Sequence, residues 1–211
     1  MIIGITGFIG SGKDTIADYL TTFHGYKRIS FAGTLKDACA AVFGWDRELL
    51  EGTTKSSREW REALDLWWSE RLGIPELTPR WVLQQWGTEV CRNGFHNDIW
   101  VASVENQLRK AKDNIVITDC RFANEVDAIK NAGGITLRVE RGERPEWYSS
   151  AIDYNRGPNS NPNWSLSKIV LDKYKIHASE YSSVGLNYDH YIDNNGTIDY
   201  LHSQVEKLIN G

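Results

Sequence analysis

The sequence predicts an α/β fold in which a parallel β-sheet has helices on both faces. Five short segments have the character of strands, three of them largely apolar, and they are separated by longer segments whose apolar residues recur with helical spacing. A glycine-rich turn joins the first apolar segment to the first helical one. Strands that alternate with helices form a parallel sheet through right-handed crossovers, and functional sites lie at the carboxyl ends of such strands.

The individual elements follow from the spacing of apolar residues and from breaks at glycine, proline and asparagine. The predicted strands are residues 1–6, 26–30, 114–119, 135–140 and 188–192. The predicted helices are residues 31–43, 58–72, 79–92, 98–112, 123–131 and 197–209, together with a helix that begins at Lys13. Residues 141–166 are rich in Pro, Gly, Ser and Asn and lack periodicity, so we expect a mobile loop or lid there.

The composition is typical of one folded domain, residues 1–211, with 41% hydrophobic and 25% charged residues. A net charge of −4 gives no general attraction to a nucleic acid polymer or to an anionic membrane. No apolar run approaches the roughly 18 residues of a membrane span. Cys39, Cys91 and Cys120 are widely spaced and indicate reduced thiols, so we expect a cytoplasmic protein.

The turn GFIGSGKDT at residues 7–15 has the spacing Gly7-x4-Gly12-Lys13. Glycines let the backbone wrap around a phosphate, so that amide N–H groups and the helix N-terminus face the anion while the lysine reaches the β and γ phosphates. An ordinary glycine-rich turn is the alternative. The preceding strand and following helix favour a P-loop that binds MgATP. Its binding residues would be Gly10, Ser11, Gly12, Lys13, Asp14 and Thr15.

Acidic residues suggest where Mg²⁺ would bind. Asp14 stands where the general P-loop pattern has Ser or Thr, and Thr15 follows it. Either could contact the metal, whereas Asp14 could instead only complement the helix dipole. Asp119 follows a predicted strand, where a second acidic group of P-loop enzymes holds the metal. We therefore expect Asp14, Thr15 and Asp119 at the metal site.

Arginines near these strand ends are candidates for contact with the transferring phosphoryl group. Arg121 could face the site or form a structural ion pair with Glu125. Arg141, Arg144 and Arg156 flank the predicted lid and could neutralise phosphate charge or be solvated. We expect Lys13, Asp14, Arg121 and Arg141 to be catalytic. For His177 and Glu180, acid–base chemistry is less favoured than capping or helix contacts, because phosphoryl transfer needs little of it.

The middle of the chain carries candidates for a second substrate. Phe31 could pack on a base and Lys36 could meet a phosphate, or both could be ordinary structural residues. A polar stripe on the next helical segment is either a solvated face or a wall for a nucleotide base. The candidate substrate residues are Phe31, Lys36, Gln84, Thr88, Glu89 and Arg92.

Several of these segments together resemble the deoxynucleoside monophosphate kinases of bacteriophages. The matching stretches are GSGKDT (10–15), SFAGTLK (30–36), LQQWGTEVCR (83–92), DIWV (98–101), VITDCRFANE (116–125) and HASE (177–180). The resemblance implies a nucleoside-monophosphate-kinase-like, three-layer P-loop fold with a five-stranded parallel sheet. It also implies an inserted helical region near residues 31–100 that binds the monophosphate and a lid near residues 141–176.

The implied reaction converts MgATP and a deoxynucleoside monophosphate to ADP and the diphosphate, in the host cytoplasm if the chain is phage-encoded. Dephospho-CoA kinase is an alternative, since GITGFIGSGK and DNNGTIDYLHSQVEKL also look like that enzyme. The second of these stretches forms a loop and helix near adenine in related kinases, which makes Asn195 and Gly196 candidate nucleotide-binding residues. A nucleotide-binding regulatory module without turnover is a third option. Base preference and oligomeric state stay open, a homodimer being one option.

Overall fold

Five strands form one parallel sheet in the computed structural model, which describes residues 1–210. The strands are β1 (Ile2–Thr6), β2 (Lys27–Ile29), β3 (Ile115–Ile117), β4 (Ile135–Glu140) and β5 (His190–Asp193). Their order across the sheet is β2-β3-β1-β4-β5. The predicted α/β fold with a five-stranded parallel sheet is therefore confirmed.

Residues 1–210 contain twelve α-helices and one π-helix. The helices are α1 (Lys13–Phe23), α2 (Gly33–Phe43), α3 (Arg47–Glu51), α4 (Lys55–Glu62), α5 (Leu66–Leu72), α6 (Pro79–Gln84), the π-helix (Gln85–Asn93), α7 (Ile99–Lys110), α8 (Ala123–Asn131), α9 (Tyr148–Asn155), α10 (Trp164–Lys173), α11 (Ala178–Tyr181) and α12 (Ile198–Ile209). None of the helices within this part of the chain has the length and apolar character needed to cross a bilayer.

The central strand β1 is buried between β3 and β4. Ile3 pairs with Val116 of β3 and Ile135 of β4, and the Ile3 and Ile5 side chains are fully buried. Strands buried on both faces of a parallel sheet need continuous apolar sequence, which explains the apolar start of the chain. The carboxyl end of β1 is consequently fixed from both sides.

Helix α1 packs on this sheet through the apolar face that the sequence predicts. Ile16, Ala17 and Leu20 are fully buried and share one apolar cluster with β1 and with Leu201 and Val205 of α12. The predicted amphipathic helices at residues 13 onward and 197–209 are confirmed.

The chain divides into two compact units. One contains the sheet and consists of residues 1–29 together with residues from 107 onward. The other is the helical unit Ser30–Asn106. Its core combines aliphatic residues with many aromatic side chains, and Phe43 is stacked on Trp45 at a ring separation of 4.3 Å. Packing within this unit thus explains most of the tryptophan between Trp45 and Trp100, the exception being Trp67, which is exposed.

The predicted helix over residues 58–72 is wrong, because two separate helices, α4 and α5, occupy this stretch. Ala63 is extended, with ψ of 143°, and ends α4. Asp65 then caps α5 by accepting a hydrogen bond from the Trp68 amide, and it also accepts one from Trp45 Nε1. An N-cap in the middle of a periodic stretch starts a new helix.

The predicted helix over residues 79–92 begins correctly at Pro79 but widens into the π-helix at Gln85. The Gly94 amide, for example, donates to the Glu89 carbonyl five residues earlier. Trp100 Nε1 donates to the carbonyl of Gly87 within this segment. A side-chain donor on a helical carbonyl disturbs the regular hydrogen-bond ladder, which gives a physical reason for the change.

The irregular loop predicted over residues 141–166 is also wrong, since α9 and the start of α10 lie within it. Tyr148 and Ala151 are buried, and Tyr154 stacks on Trp164 with ring centroids 5.2 Å apart. Short helices held by tertiary contacts of this kind show little periodicity in sequence. The strand predicted over residues 114–119 is the shorter β3, and the last strand begins at His190.

Replacing Leu20 with alanine should destabilise the fold by about 2–5 kcal/mol, because a fully buried leucine leaves a cavity when truncated. Leu166→Ala is the matched control, a helical leucine that is 65% exposed, and should change the unfolding free energy by less than about 0.5 kcal/mol. Urea unfolding of both variants measures the difference. Equal losses would contradict the placement of α1.

Candidate active site

The glycine-rich turn between β1 and α1 has the backbone that its sequence predicts. Gly7 has φ of +154° and Gly12 φ of +103°, conformations that side-chain-bearing residues rarely adopt. A Cβ at Gly7 would lie 2.5 Å from Ser11 Oγ and 2.6 Å from the Val139 carbonyl. A Cβ at Gly12 would lie 2.2 Å from Asn194 Nδ2. Glycine is required at both positions for conformation and for space.

The turn presents polar groups suited to an anion. Helix α1 has Gly12 at its N-cap, and no side chain of the described residues caps it. Its first amide groups therefore keep their donor capacity, and the helix dipole favours negative charge there. Ser11 is buried, and its Oγ has no hydrogen-bond partner within residues 1–210. A buried orphaned hydroxyl beside an uncapped helix N-terminus fits a phosphate.

Lys13 is held against the same turn. Its Nζ donates to the carbonyls of Gly7 and Phe8, each at 2.8 Å. These two contacts place the ammonium at the carboxyl end of β1. An ammonium in this position can exchange carbonyl contacts for phosphate oxygens, as the sequence motif predicts.

Charged side chains around Lys13 act on its ionisation. Burial is the largest cause and lowers the pKa of Lys13 below its usual value, whereas Asp14 opposes this effect. Arg121 lowers the pKa further, Glu180 raises it and Arg138 lowers it. Three basic and two acidic side chains are thus close enough to interact electrostatically in the sheet-containing unit.

Asp14, in the first turn of α1, forms an ion pair with Arg28, the middle residue of β2. Arg28 also donates to Thr118 Oγ1 at 2.8 Å and lies 3.5 Å from Asp18 of α1. The Asp14 side chain is 74% exposed, and Thr15 is exposed as well. Sequence reasoning missed Arg28, since nothing in the local pattern of a short strand marks one basic residue as a partner of the turn.

Asp119 and Arg121 follow β3, as predicted, at the sheet edge where β1 also ends. Asp119 is half-buried. The Arg121 guanidinium donates to Ser179 Oγ at 3.2 Å and pairs with Glu180 at 3.3 Å.

The alternative pairing of Arg121 with Glu125 is therefore wrong for the guanidinium. Glu125 is 2% exposed and accepts hydrogen bonds from the backbone amides of Arg121 and Phe122, where it caps α8. A carboxylate three residues into a helix commonly bonds the preceding amides in this way.

A cavity of about 210 Å³ lies between the ends of β4 and β5 and the glycine-rich turn. Its lining includes Phe8, Arg141, Arg144, Tyr191 and Asn195. Asn195 Oδ1 accepts from the Gly142 amide at 2.7 Å, which joins the segments that follow the two strands. A Cβ at Gly196, the next residue, would lie 3.0 Å from the Tyr200 ring. The structure thus brings together Arg141 and Asn195, two residues singled out on separate grounds in the sequence.

Two predicted substrate residues of the helical unit have structural partners. Phe31 is buried, with 3% of its surface exposed. Lys36 pairs with Glu51, which also pairs with Arg47. Burial acts to raise the pKa of Glu51, but the contacts with Lys36 and then Arg47 outweigh it and hold the pKa below its usual value. Lys36 is therefore part of a charge network and is not a solvated lysine.

The polar stripe predicted on one helix lies at the end of α6 and on the π-helix. Gln84 is exposed and Thr88 is half-buried. Glu89 accepts from Asn93 Nδ2 at 2.9 Å, and Arg92 donates to the Asn97 carbonyl at 3.4 Å. π-Helices occur frequently at functional sites, because the wider turn re-aims side chains.

Comparison with curated proteins identifies relatives of known name. The chain is 34% identical over 153 residues to a protein named deoxynucleotide monophosphate kinase from Acanthamoeba polyphaga mimivirus, a match that covers 67% of this chain and 74% of the relative. The chain belongs to the deoxynucleoside monophosphate kinase family. A second relative, deoxynucleoside-5'-monophosphate kinase of Escherichia phage T5, is 24% identical over 186 residues, covering 65% of this chain and 74% of the relative.

No protein-family model matches this member of the family. Among solved structures, it is similar to shikimate kinase from Aquifex aeolicus, with 15% identity and a TM-score of 0.49 over 100% of this chain and 97% of that one. Shikimate kinase from Acinetobacter baumannii gives 17% identity and a TM-score of 0.43 over 99% and 93%. Because both TM-scores are below 0.5, the fold is assigned from the topology of the sheet and not from these similarities.

Replacing Gly12 with alanine should damage the turn more than backbone strain alone explains. The added Cβ would displace Asn194, whose Nδ2 donates to the Ser11 carbonyl at 2.8 Å. Gly25→Ala is the control, because Gly25 has φ of +67° and, beyond its two chain neighbours, no heavy atom of residues 1–210 lies within 4 Å of its added Cβ.

We expect Gly25→Ala to cost about 1–2 kcal/mol of unfolding free energy and to leave ADP affinity unchanged. Gly12→Ala should lower ADP affinity at least tenfold. Urea unfolding and titration calorimetry with ADP measure the two effects. Normal ADP binding by Gly12→Ala would contradict the assignment of this turn as the phosphate site.

Proposed function

We propose that this protein phosphorylates deoxynucleoside monophosphates to diphosphates with ATP as the phosphoryl donor, a phosphotransfer to a phosphate acceptor. The observation that carries the proposal is the glycine-rich turn at residues 7–15, whose geometry suits phosphate. The chain that contains it belongs to the deoxynucleoside monophosphate kinase family. Ser11 Oγ, the uncapped N-terminus of α1 and the Lys13 ammonium converge at this turn. Membership of this family also favours the proposal over dephospho-CoA kinase and over a regulatory module.

The turn would hold the phosphates of ATP, and the neighbouring cavity would hold its nucleoside. The cavity opens between β4 and β5 next to Phe8 of the turn and has Arg141 and Asn195 in its lining. An aromatic ring, a guanidinium and an amide can stack on and hydrogen-bond to a purine. Gly196 would complete the nucleotide site beside Asn195.

The oxygen-bearing side chains near the turn suit Mg²⁺. Asp14 and Thr15 lie in the first turn of α1, and Asp119 follows β3. No three His, Cys, Asp or Glu side chains form a metal site by themselves within residues 1–210, and Mg²⁺ takes one or two carboxylates together with phosphate oxygens. When bound, the ion neutralises charge on the phosphate oxygens. Asp14, Thr15 and Asp119 are the residues that would hold it.

Positive side chains would stabilise the transferring phosphoryl group. Lys13 and Arg121 both belong to the charged cluster at the carboxyl ends of β1 and β3. Fixed cations at such a position stabilise the charge on the equatorial oxygens without reorganising. Arg141 would add a third cation from the proposed lid, residues 141–176. We assign Lys13, Asp14, Arg121 and Arg141 as the catalytic residues.

The monophosphate acceptor would bind in the helical region near residues 31–100. Lys36 of the charge network can receive a phosphate, and the re-aimed side chains of the π-helix can contact a base. The proposed acceptor residues are Phe31, Lys36, Gln84, Thr88, Glu89 and Arg92.

The proposal is tested by incubating the protein with MgATP and each of dTMP, dGMP, dCMP and dAMP, followed by chromatography of the products. We expect ADP and a deoxynucleoside diphosphate in equal amounts with at least one of the four. Dephospho-CoA serves as the competing acceptor and should remain unphosphorylated. Turnover of dephospho-CoA alone would replace the proposal with that activity.

Lys13→Ala should lower turnover by on the order of 10²-fold or more, about 2.7 kcal/mol of transition-state stabilisation. The fold should survive, because Lys13 contributes only two hydrogen bonds to the turn. Steady-state kinetics and a thermal melt of the variant separate the two effects. Near-normal turnover would overturn the phosphotransferase assignment.

Asp14→Asn should weaken the apparent Mg²⁺ dependence of turnover, while nucleotide binding without metal stays the same or tightens. A carboxylate beside polyphosphate repels it by several kcal/mol at about 4 Å and an effective dielectric near 20, unless a cation intervenes. Asp14→Ser restores the usual hydroxyl and should recover part of the activity.

Asp18→Asn is the matched control, because Asp18 lies one turn later on α1, is similarly exposed and also faces Arg28. It should leave the Mg²⁺ titration unchanged. If Asp14→Asn also leaves the titration unchanged, Asp14 only complements the helix dipole, and Thr15 and Asp119 remain as metal ligands.

A further inference from the structure

The segment HASE, residues 177–180, contacts the side chain of Arg121 from a distant part of the chain. Arg121 Nη1 lies 3.2 Å from Ser179 Oγ and 3.3 Å from Glu180 Oε1. The guanidinium is about half exposed and the Glu180 carboxylate is one-third exposed. Two acceptors on neighbouring residues thus hold one end of a long and otherwise flexible side chain.

The acceptor residues are oriented by His177. Its Nδ1 accepts a hydrogen bond from the Ser179 amide at 3.2 Å and lies 2.9 Å from Ser179 Oγ. This ring therefore caps α11, as the favoured interpretation of the sequence predicts. The cap fixes the backbone of the turn on which both Ser179 and Glu180 stand.

The segment after HASE is tied to the body of the sheet-containing unit. Asn155 Nδ2 donates to the carbonyls of Tyr181 and Val184, at 2.7 and 2.8 Å. The Ser183 carbonyl accepts from Tyr188 at 2.6 Å and from the buried Arg138 guanidinium at 3.1 Å. A four-residue helix has little stability of its own, so these bonds fix its position.

The pair formed by Arg121 and Glu180 also belongs to the charge cluster around Lys13. Both residues act on the ionisation of Lys13, in opposite directions. An acidic group here would weaken phosphate binding if it faced the phosphates alone. Glu180 instead contacts Arg121, and an ion pair of this kind restrains the rotamers of the arginine before the substrate binds.

We propose that Glu180, assisted by Ser179, is a positioning residue that holds Arg121 in the orientation needed for phosphoryl transfer. This inference rests on the proposed function, in which Arg121 contacts the transferring group. Glu180 acts through Arg121 and performs no acid–base step. A competing role, in which Glu180 occupies the phosphate position of Arg121 and inhibits binding, makes the opposite kinetic prediction.

The test compares wild type with Glu180→Gln, Ser179→Ala, Arg121→Lys and the double variant Arg121→Lys/Glu180→Gln. We expect Glu180→Gln to lower kcat about tenfold with the KM for ATP within about twofold, because positioning affects the transition state more than the ground state. Ser179→Ala should lower kcat about threefold. The double variant should be no slower than Arg121→Lys, since Glu180 acts only through Arg121.

Asp113→Asn is the matched control, because Asp113 forms an exposed ion pair with Lys27 in the same unit. It should leave kcat and KM unchanged. The positioning role would be overturned if the kcat losses of the two single variants multiply in the double variant. It would also be overturned if Glu180→Gln lowers the KM for ATP and leaves kcat unchanged.

A readout independent of turnover separates this inference from the proposed function. The guanidinium signal of Arg121 in ¹H–¹⁵N NMR spectra is assigned by its loss in Arg121→Lys. In Glu180→Gln it should shift toward the position of a solvated arginine because the ion pair is lost, whereas Asp113→Asn should leave it in place. An unmoved signal would refute the positioning role even in an active enzyme. Absence of deoxynucleoside monophosphate turnover in wild type would refute the proposed function, and the NMR comparison would still decide the contact.

Discussion

The structure depends on one junction, where the central strand β1 ends in a glycine turn and α1 begins without a side-chain cap from the described residues. Because β1 is paired on both sides, the turn starts from a fixed point. The turn is also enclosed by neighbouring residues. The Val139 carbonyl of β4 leaves no room for a side chain at Gly7, and the Asn194 side chain donates a hydrogen bond to the Ser11 carbonyl. The helix dipole, the amides and the Lys13 ammonium are therefore directed at one place.

Much of the structure that depends on local sequence could be predicted, although the local N-cap at Asp65, which divides α4 from α5, was missed. Strands β1, β3 and β4 appear as largely apolar runs because both faces of the sheet are buried there. The turn appears as a glycine spacing because its φ values and close contacts exclude other residues. The helix face of Ile16, Ala17 and Leu20 follows from a period of 3.6 residues. These signals lie within one element or between neighbours, so one sequence suffices to detect them.

The partners of the site residues could not be predicted, because they come from far along the chain. Arg28 meets Thr118 across 90 positions, and Arg121 meets Glu180 across 59. No local pattern records such a pairing. The π-helix was not predicted for a related reason, because the Trp100 indole that donates to the Gly87 carbonyl comes from another helix. Residues 141–166 have a composition typical of a loop, because their short helices are held by ring stacking and need no periodic apolar face.

The helical unit Ser30–Asn106 is one uninterrupted stretch of chain, entered directly after β2 and left within α7. Its aromatic core is built from its own residues. Two crossover points are therefore enough to exchange the whole unit between genes while the sheet and its phosphate turn keep their sequence. If acceptor selection resides in this unit, as proposed, recombination at those points offers such kinases a direct evolutionary route to new nucleotide preferences.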